Sequence, residues 1–236
     1  MNKIKKILIL GGGQAAAYAA KEIRLIDKNS DVTIISDEKY LPYEKPPLSK
    51  DYVLDKVAFD DLLFFSENFY KENNIKFKGS TKITKVDFDN KKISCSLNTY
   101  QYDRLLIATG CSNRHLKING EIILPEENII YLRSFEESNN LKNKINKANN
   151  ITIIGGGFIG LEIASSALQK GKNVTILEKG EQLMGRVIPK QIASLILEKH
   201  ESEGAKINLN TQIKNIKKQN KIFKIYLNNN QILTSD

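Results

Sequence analysis

IKKILILGGGQAAAYAAKEIR, Ile4 to Arg24, and NNITIIGGGFIGLEIASSALQKG, Asn149 to Gly171, decide the reading of this chain, because they are one pattern written twice. In each, an apolar strand runs into three glycines and a helical pattern starts directly after them. In a strand–loop–helix unit of this kind the first glycine makes the tight turn. The second lets the backbone approach a pyrophosphate, and the third position keeps helix and strand close. The helix start adds unpaired N–H groups and the positive end of the helix dipole, both suited to phosphate oxygens. The three positions are Gly11, Gly13 and Ala16 in the first copy, and Gly155, Gly157 and Gly160 in the second. An acid follows each at the distance of a ribose-binding carboxylate. Glu178 ends VTILE, 23 residues after Gly155, and Asp37 follows VTIIS, 26 residues after Gly11. One such unit suggests one bound dinucleotide. Two suggest two held side by side, which passing electrons between them requires.

With 236 residues, 41% hydrophobic and 27% charged, the chain has room for one large or two ordinary globular domains. No apolar run reaches the roughly 18 residues that span a bilayer. The run from Ile7 to Leu10 is too short for a signal peptide, so neither a membrane partner nor a leader is expected. Cys95 and Cys111 make neither a disulfide framework nor a CxxC pair, and a cytoplasmic location follows by default. The net charge of +9 permits steering of an acidic partner. The lysines are scattered among asparagines and isoleucines, as AT-rich coding produces, and form no basic stripe, so no nucleic-acid partner is expected. His115 and His200 are isolated, read as surface or loop residues, and leave no metal site.

The repeat extends beyond the glycine loops. After Asp37 the first unit runs through a loop and helical stretch, Tyr40 to Glu72, into the alternating strands TKITKVDF, KKISCSL and TYQYDR, and closes on LLIATG, Leu105 to Gly110. The second has a helix around Pro189 to Glu203, then NTQIKNIKK, KIFKIYL and QILTSD, with Asn229-Asn230 as turn residues. The fold class expected is α/β: two Rossmann-like units, each with a parallel sheet and an antiparallel β-meander, divided as 1–113 and 114–236. Ser112 to Asn128 is the linker candidate. Ser134 and Glu137 have the spacing of a capping box at the start of a helix to Lys147. Internal comparison sets Asp236 opposite Asp103, which in the first unit directly precedes RLLIATG. The second unit therefore reads as lacking its last strand, and the chain as a fragment.

A second informative stretch is DEKYLPYEKPPLSKDYV, Asp37 to Val53. Three prolines stiffen it, because proline fixes its backbone angle. It follows the strand bearing the ribose acid and delivers Lys45 and Lys50, the latter expected at the start of a short helix. A lysine on a stiff loop beside a flavin could stabilise a reduced, anionic ring.

The motifs GGGQAAAYAA, LPYEKPPLSK, YDRLLIATG, YLRSFEES, GGGFIGLEIA and VTILEKGEQLMGRV carry a resemblance that covers essentially the whole chain, Ile4 to Asp236. With them the chain resembles the FAD-dependent, NADH-using ferredoxin reductases of oxygenase and cytochrome P450 systems. These are relatives of putidaredoxin and rubredoxin reductases within the pyridine nucleotide–disulfide reductase superfamily. The resemblance implies an oxidoreductase in which FAD occupies the first unit and NADH the second. The FAD pyrophosphate would sit over Gly11, Gly13, Gln14 and Ala15, with the adenosine near Asp37 and the adenine against the Ile83 backbone. Lys45 and Lys50 would face the flavin side, and Thr109, Gly110 and Arg133 would line the pyrophosphate and domain boundary. NADH would use Gly155, Gly157, Phe158, Ile159 and Gly160, with Glu178 on the adenosine ribose. Glu162 would pair with Lys50 near the reacting rings, these two being the implied catalytic residues. Hydride would pass from NADH to FAD, and single electrons to an acidic [2Fe-2S] ferredoxin or a rubredoxin-type acceptor.

Several features depart from that pattern or qualify it. Lys45 stands where the family usually has arginine, so the bidentate fork is lost while the charge is kept. The family also continues into a second FAD-contacting segment and a C-terminal interface domain, and these 236 residues are expected to hold neither. Cys95 and Cys111, 16 residues apart, match no redox-active cysteine pair, so electrons would leave from the flavin itself. A carboxylate at Glu178 accepts from a ribose 2′-hydroxyl and repels a 2′-phosphate, which favours NADH over NADPH. Lys179 and Arg186 are the residues that could partner a phosphate. An NADH oxidase or a nitrite-reductase-type flavoprotein on the same frame, and a non-catalytic nucleotide-binding fragment, stay open as alternatives.

Overall fold

The apolar run KILIL forms strand β1 (Lys6–Leu10) in a computed structural model that describes residues 5–96, 98–125, 129–185, 187–220 and 222–236. Its neighbours are β2 (Asp31–Ile35) and β7 (Arg104–Ile107), with β3 (Ile75–Lys78) beyond β2; the order is β3-β2-β1-β7 and every pair is parallel. Successive side chains of β1 point to opposite faces, and both faces are covered. Ile9 joins Ala16, Ala20, Val32, Ile34, Tyr70 and Ile75 on one side. Leu8 and Leu10 join Ile35, Ile93 and Tyr102 on the other. Helix α1 (Gln14–Ile26) meets the first core through buried alanines, whose small side chains permit close packing. Helix α2 (Glu67–Glu72) starts at Ser66, whose Oγ accepts from Phe69 N–H. Strands β4 (Ile83–Asp87), β5 (Lys92–Cys95) and β6 (Thr99–Gln101) form the antiparallel meander.

Buried Arg24 fastens this unit at the end of α1. Its guanidinium donates to the carbonyls of Asn73 at 2.6 Å, Asn74 at 2.7 Å, Ser30 at 2.8 Å and Asp27 at 3.2 Å. The turns before β2 and before β3 are thereby tied to one side chain.

The chain divides into two compact units, Met1–Lys45 with Ala58–Ser112, and Pro46–Val57 with Asn113–Asp236. The proline-rich segment therefore groups with the second unit, where an expectation of two contiguous halves had put it in the first. The cause is burial: Val53 shares a core with Ile145, Leu161, Ala164, Ile176 and Leu183.

In the second unit β10 (Asn150–Ile154), β11 (Asn173–Leu177) and β12 (Lys206–Asn208) form a parallel sheet in that order. Helices α3 (Phe135–Lys147), α4 (Phe158–Gln169) and α5 (Lys190–Ser202) accompany it, and β13 (Ile213–Gln219), β14 (Ile222–Leu227) and β15 (Ile232–Ser235) form its meander. The capping box at Ser134 and Glu137 forms with both of its hydrogen bonds. Within the second unit, the linker candidate holds a small hairpin of β8 (Lys117–Ile118) and β9 (Glu121–Ile122). Its turn residues Asn119 and Gly120 have φ of 51° and 87°. Positive φ at both positions is what a tight hairpin turn needs, and Asn-Gly supplies it; residues 126–128 lie outside the described set. His200 also departs from the surface-or-loop expectation. It lies on α5, half-buried, with Nδ1 2.9 Å from the Ile196 carbonyl and Nε2 3.3 Å from the Leu161 carbonyl of α4.

The repeat extends to individual hydrogen bonds. Gly11 N–H donates to Ile35 O and Gly155 N–H to Leu177 O, both at 2.8 Å. Ser36 N–H donates to Lys78 O and Glu178 N–H to Asn208 O, both at 2.9 Å. Asp103 binds both the N–H and the carbonyl of Lys6, the first residue of β1; Asp236 does the same to Asn150, the first residue of β10. Asp236 also accepts from Asn149 N–H, and these backbone donors, Asn149 first, hold its carboxyl below the usual range. Among the described strands β1 is flanked on both sides, whereas β10 pairs with β11 alone. No helix among the described residues is long and apolar enough to cross a membrane, and no group of three or more His, Cys, Asp or Glu there could hold a metal ion.

Candidate functional site

The first glycine loop is shaped by what stands beside it. Gly11 has φ of +113°, and a Cβ there would lie 2.1 Å from the Ala108 carbonyl oxygen and 3.0 Å from Thr109 Cα. Only glycine permits both the conformation and the approach. Thr109 and Gly110, the latter with φ of +67°, follow the end of β7, with Thr109 against the loop. Gly13 has open space where a side chain would stand. Helix α1 begins there without a side-chain cap, and Gln14 and Ala15 are exposed. Ile83 opens β4 opposite Cys95 and packs on the Leu8–Leu10 core.

Register shows where the acids fall. Leu10 pairs with Ile35 and Ile154 with Leu177, so Ser36 occupies the place of Glu178, and Asp37 lies one residue further on, exposed. The next residue, Glu38, binds Lys45 Nζ at 2.6 Å and accepts a short hydrogen bond from the Tyr43 hydroxyl. The Lys45 ammonium also lies 4.9 Å from the centre of the Tyr43 ring.

In the second loop Gly155 has φ of +105°, and Gly157 has open space and starts α4 without a side-chain cap. A Cβ at Gly160 would lie 2.2 Å from the Gly155 carbonyl oxygen, so the third glycine is a requirement of helix–loop packing. Glu178 reaches into the loop: its Oε2 accepts from Gly156 N–H at 2.7 Å and its Oε1 from Gly180 N–H at 2.6 Å. Met184 N–H donates to Gly156 O at 2.9 Å, and Leu183 fills the space above Gly156. Phe158 and Ile159 are exposed at the start of α4, and Lys179 is exposed beside Glu178. Arg133 N–H donates to Glu137 Oε2 at 2.6 Å, and Arg186 lies outside the described residues.

Lys50 follows a 3₁₀ helix, Pro46–Ser49, instead of starting a helix. Proline lacks an N–H and has a preset φ, so the pair Pro46-Pro47 belongs to a first turn and Lys50 comes at its end. Lys50 Nζ donates to Glu162 Oε1 at 2.9 Å, all within the second unit. Ser49 Oγ donates to the other oxygen, Oε2, at 2.5 Å. Asp55 anchors the same segment, taking Lys142 Nζ at 2.5 Å and Lys170 Nζ at 2.7 Å. Those lysines, Lys142 foremost, hold its carboxyl below the usual range. Ser49, Asp55 and Glu38 carried no periodic or motif signal of these contacts.

The model of one family, pyridine nucleotide-disulphide oxidoreductase, matches residues 5–236. The chain belongs to that family. Rubredoxin-NAD(+) reductase of Pseudomonas putida is 34% identical over 215 residues, which cover 91% of this chain and 55% of that protein. The ferredoxin--NAD(+) reductase component of 3-phenylpropionate/cinnamic acid dioxygenase from Photorhabdus laumondii is 32% identical, covering 97% of this family member and 57% of the relative. The solved ferredoxin reductase for the CYP199A2 system from Rhodopseudomonas palustris superposes with a TM-score of 0.90 at 30% identity, over 98% of this chain and 57% of the other. The chain thus spans about half the length of the curated relatives it matches.

Proposed function

We propose that this family member provides the two dinucleotide units of a flavoprotein reductase, with FAD on the first glycine loop and NADH on the second. Hydride passes from NADH to FAD, and single electrons go on to an acidic iron–sulfur protein of ferredoxin or rubredoxin type. The observation that carries the reading is the duplicated loop. In both copies a glycine with positive φ leads into a helix without a side-chain cap, and open space stands at Gly13 and Gly157. Helix α3, by contrast, has the Glu137 N–H of its first turn bound by Ser134 Oγ. Unbound N–H groups at a helix start suit a pyrophosphate, so the residues present fit both cofactors. The names of the relatives, rubredoxin and ferredoxin NAD(+) reductases, support the acceptor class. The free thiols of Cys95 and Cys111 speak for a cytoplasmic setting.

The bound flavin supplies the conversion from two-electron to one-electron transfer. The chain's residues bind and orient. Gly11, Gly13, Gln14 and Ala15 present backbone to the FAD pyrophosphate, with Thr109 and Gly110 beside them, Asp37 toward the adenosine and Ile83 toward the adenine. Lys45, held by Glu38, supplies charge on the flavin side. Gly155, Gly157, Phe158, Ile159 and Gly160 receive NADH, and Glu178 accepts from the adenosine 2′-hydroxyl, which disfavours NADPH. Lys50 and Glu162 set the charge beside the nicotinamide.

The test is the visible spectrum of the purified chain with added FAD, before and after anaerobic NADH. Flavin bands that co-purify and then bleach are expected. A chain that stays colourless after FAD addition and gel filtration overturns the flavin assignment.

A further inference from the structure

The backbone just ahead of Lys50 is gripped by side chains from two helices. Ser138 of α3 is fully buried, and its Oγ donates to the Leu48 carbonyl at 2.6 Å. Ser166 of α4 is 2% exposed, and its Oγ donates to the Ser49 carbonyl at 2.8 Å. Carbonyls at the end of a short helix have no partner within it, and burial makes one obligatory. Here both partners are hydroxyls.

Ser49 is itself 4% exposed and gives its own hydroxyl to Glu162 Oε2. Glu162 and Ser166 are four residues apart, neighbours on one face of α4. That face therefore holds Ser49 twice, once by its side chain and once by its carbonyl. The lysine stem is flexible and its ammonium sets no direction of its own. A glutamate with one oxygen fixed by Ser49 presents the other in a fixed direction, and Lys50 Nζ binds there.

We propose that Ser49 is a positioning residue: it fixes the Glu162 carboxylate so that Lys50 is held in one place, and Ser166 fixes Ser49. The consequence for NADH rests on the function proposed above; the effect on Lys50 does not.

The experiment follows the Lys50 ammonium by proton–nitrogen NMR in the full chain, with its signal assigned through Lys50→Arg. A bound ammonium gives a sharp signal. Ser49→Ala is expected to broaden it beyond detection, Ser166→Ala to weaken it, and Ser49→Thr, which keeps the hydroxyl, to restore it. A Lys50 signal unchanged in Ser49→Ala overturns the proposal, whatever happens to the melting temperature. If Ser49→Ala does not fold, the comparison of Ser49→Thr with Ser166→Ala decides in the same way.

A second arm measures NADH affinity. Ser49→Ala is expected to weaken binding about tenfold, in the range of one lost hydrogen bond to a charged group. In a Glu162→Gln background the same change is expected to have less than about a twofold effect, because residues acting through one another are not additive. Equal effects in both backgrounds overturn the proposal. Failure of the unaltered chain to bind NADH at all counts against the proposed function, and the ammonium signal then decides the positioning role alone.

Discussion

Glu178 binds the N–H of Gly156 at 2.7 Å, so the acid assigned to the ribose is also a strut of the glycine loop. Its other oxygen takes Gly180 N–H. In the first unit the same place belongs to Ser36, whose Oγ accepts from Glu38 N–H instead. Glu178→Ala should therefore do two things. It should raise NADPH use relative to NADH, and it should weaken both nucleotides by loosening Gly156. Hydrogen bonds to a carboxylate are worth about 1.5–3 kcal/mol, so NADH affinity should fall about tenfold or more. Glu178→Gln, which keeps one acceptor oxygen, should fall between. Fluorescence titration with both nucleotides checks this, and an unchanged NADH affinity in Glu178→Ala would refute the strut.

Gly11 and Gly13 separate folding from binding. Gly11→Ala places a methyl 2.1 Å from the Ala108 carbonyl at a φ of +113°. Backbone strain and overlap together should lower the melting temperature and abolish flavin retention. Gly13→Ala meets no atom within 4 Å and has φ of −101°. It should melt near the unaltered protein while losing affinity for FAD, because its methyl occupies the open space proposed for the pyrophosphate. Melting curves and flavin content on both variants decide it; equal losses of stability would sink the distinction.

These glycines were legible in the sequence because their demand is local, a turn between a strand and a helix. The capping box at Ser134 was legible for the same reason. What stayed hidden depends on chain far away. The prolines of Pro46–Val57 announce stiffness, but which core Val53 enters is decided by residues about a hundred positions later. The ties of Ser49 to Glu162 and Ser166 are hidden likewise, since a serine in PPLSK looks like any loop serine. Asn119-Gly120 is a different case: its demand for positive φ is as local as that of the loop glycines, and reading the whole stretch as a linker passes over it.

Arg24 is a test of geometry as opposed to charge. Its planar fork reaches four carbonyls from two turns, and an ammonium cannot reproduce that spread. Arg24→Lys keeps the charge and should still destabilise the chain by about 2 kcal/mol, with Arg24→Ala worse. Denaturant unfolding of the two variants checks the order. A lysine variant as stable as the parent would show that charge alone suffices.

Tyr70 offers a gain. Its ring packs among Ile9, Val32, Ile34 and Ile75, and its buried hydroxyl has no hydrogen-bond partner among the described residues. A buried unpaired hydroxyl is unfavourable by about 1–3 kcal/mol, so Tyr70→Phe should stabilise the chain by about 1 kcal/mol and raise the melting temperature by about 2–4 °C. Burial also pushes the phenol above its ordinary value of 10.0. Folded Tyr70 then keeps its proton where the unfolded chain loses it. That contribution is complete below a pH of about 10 and is lost as pH rises above it, because the unfolded state gains by ionising. The phenylalanine variant lacks the group, so its advantage should widen in alkali while other titrations cancel between the two proteins. Urea unfolding of both near pH 8 and near pH 10.5 measures the widening. A variant less stable than the parent at the lower pH would mean that the hydroxyl has a partner after all.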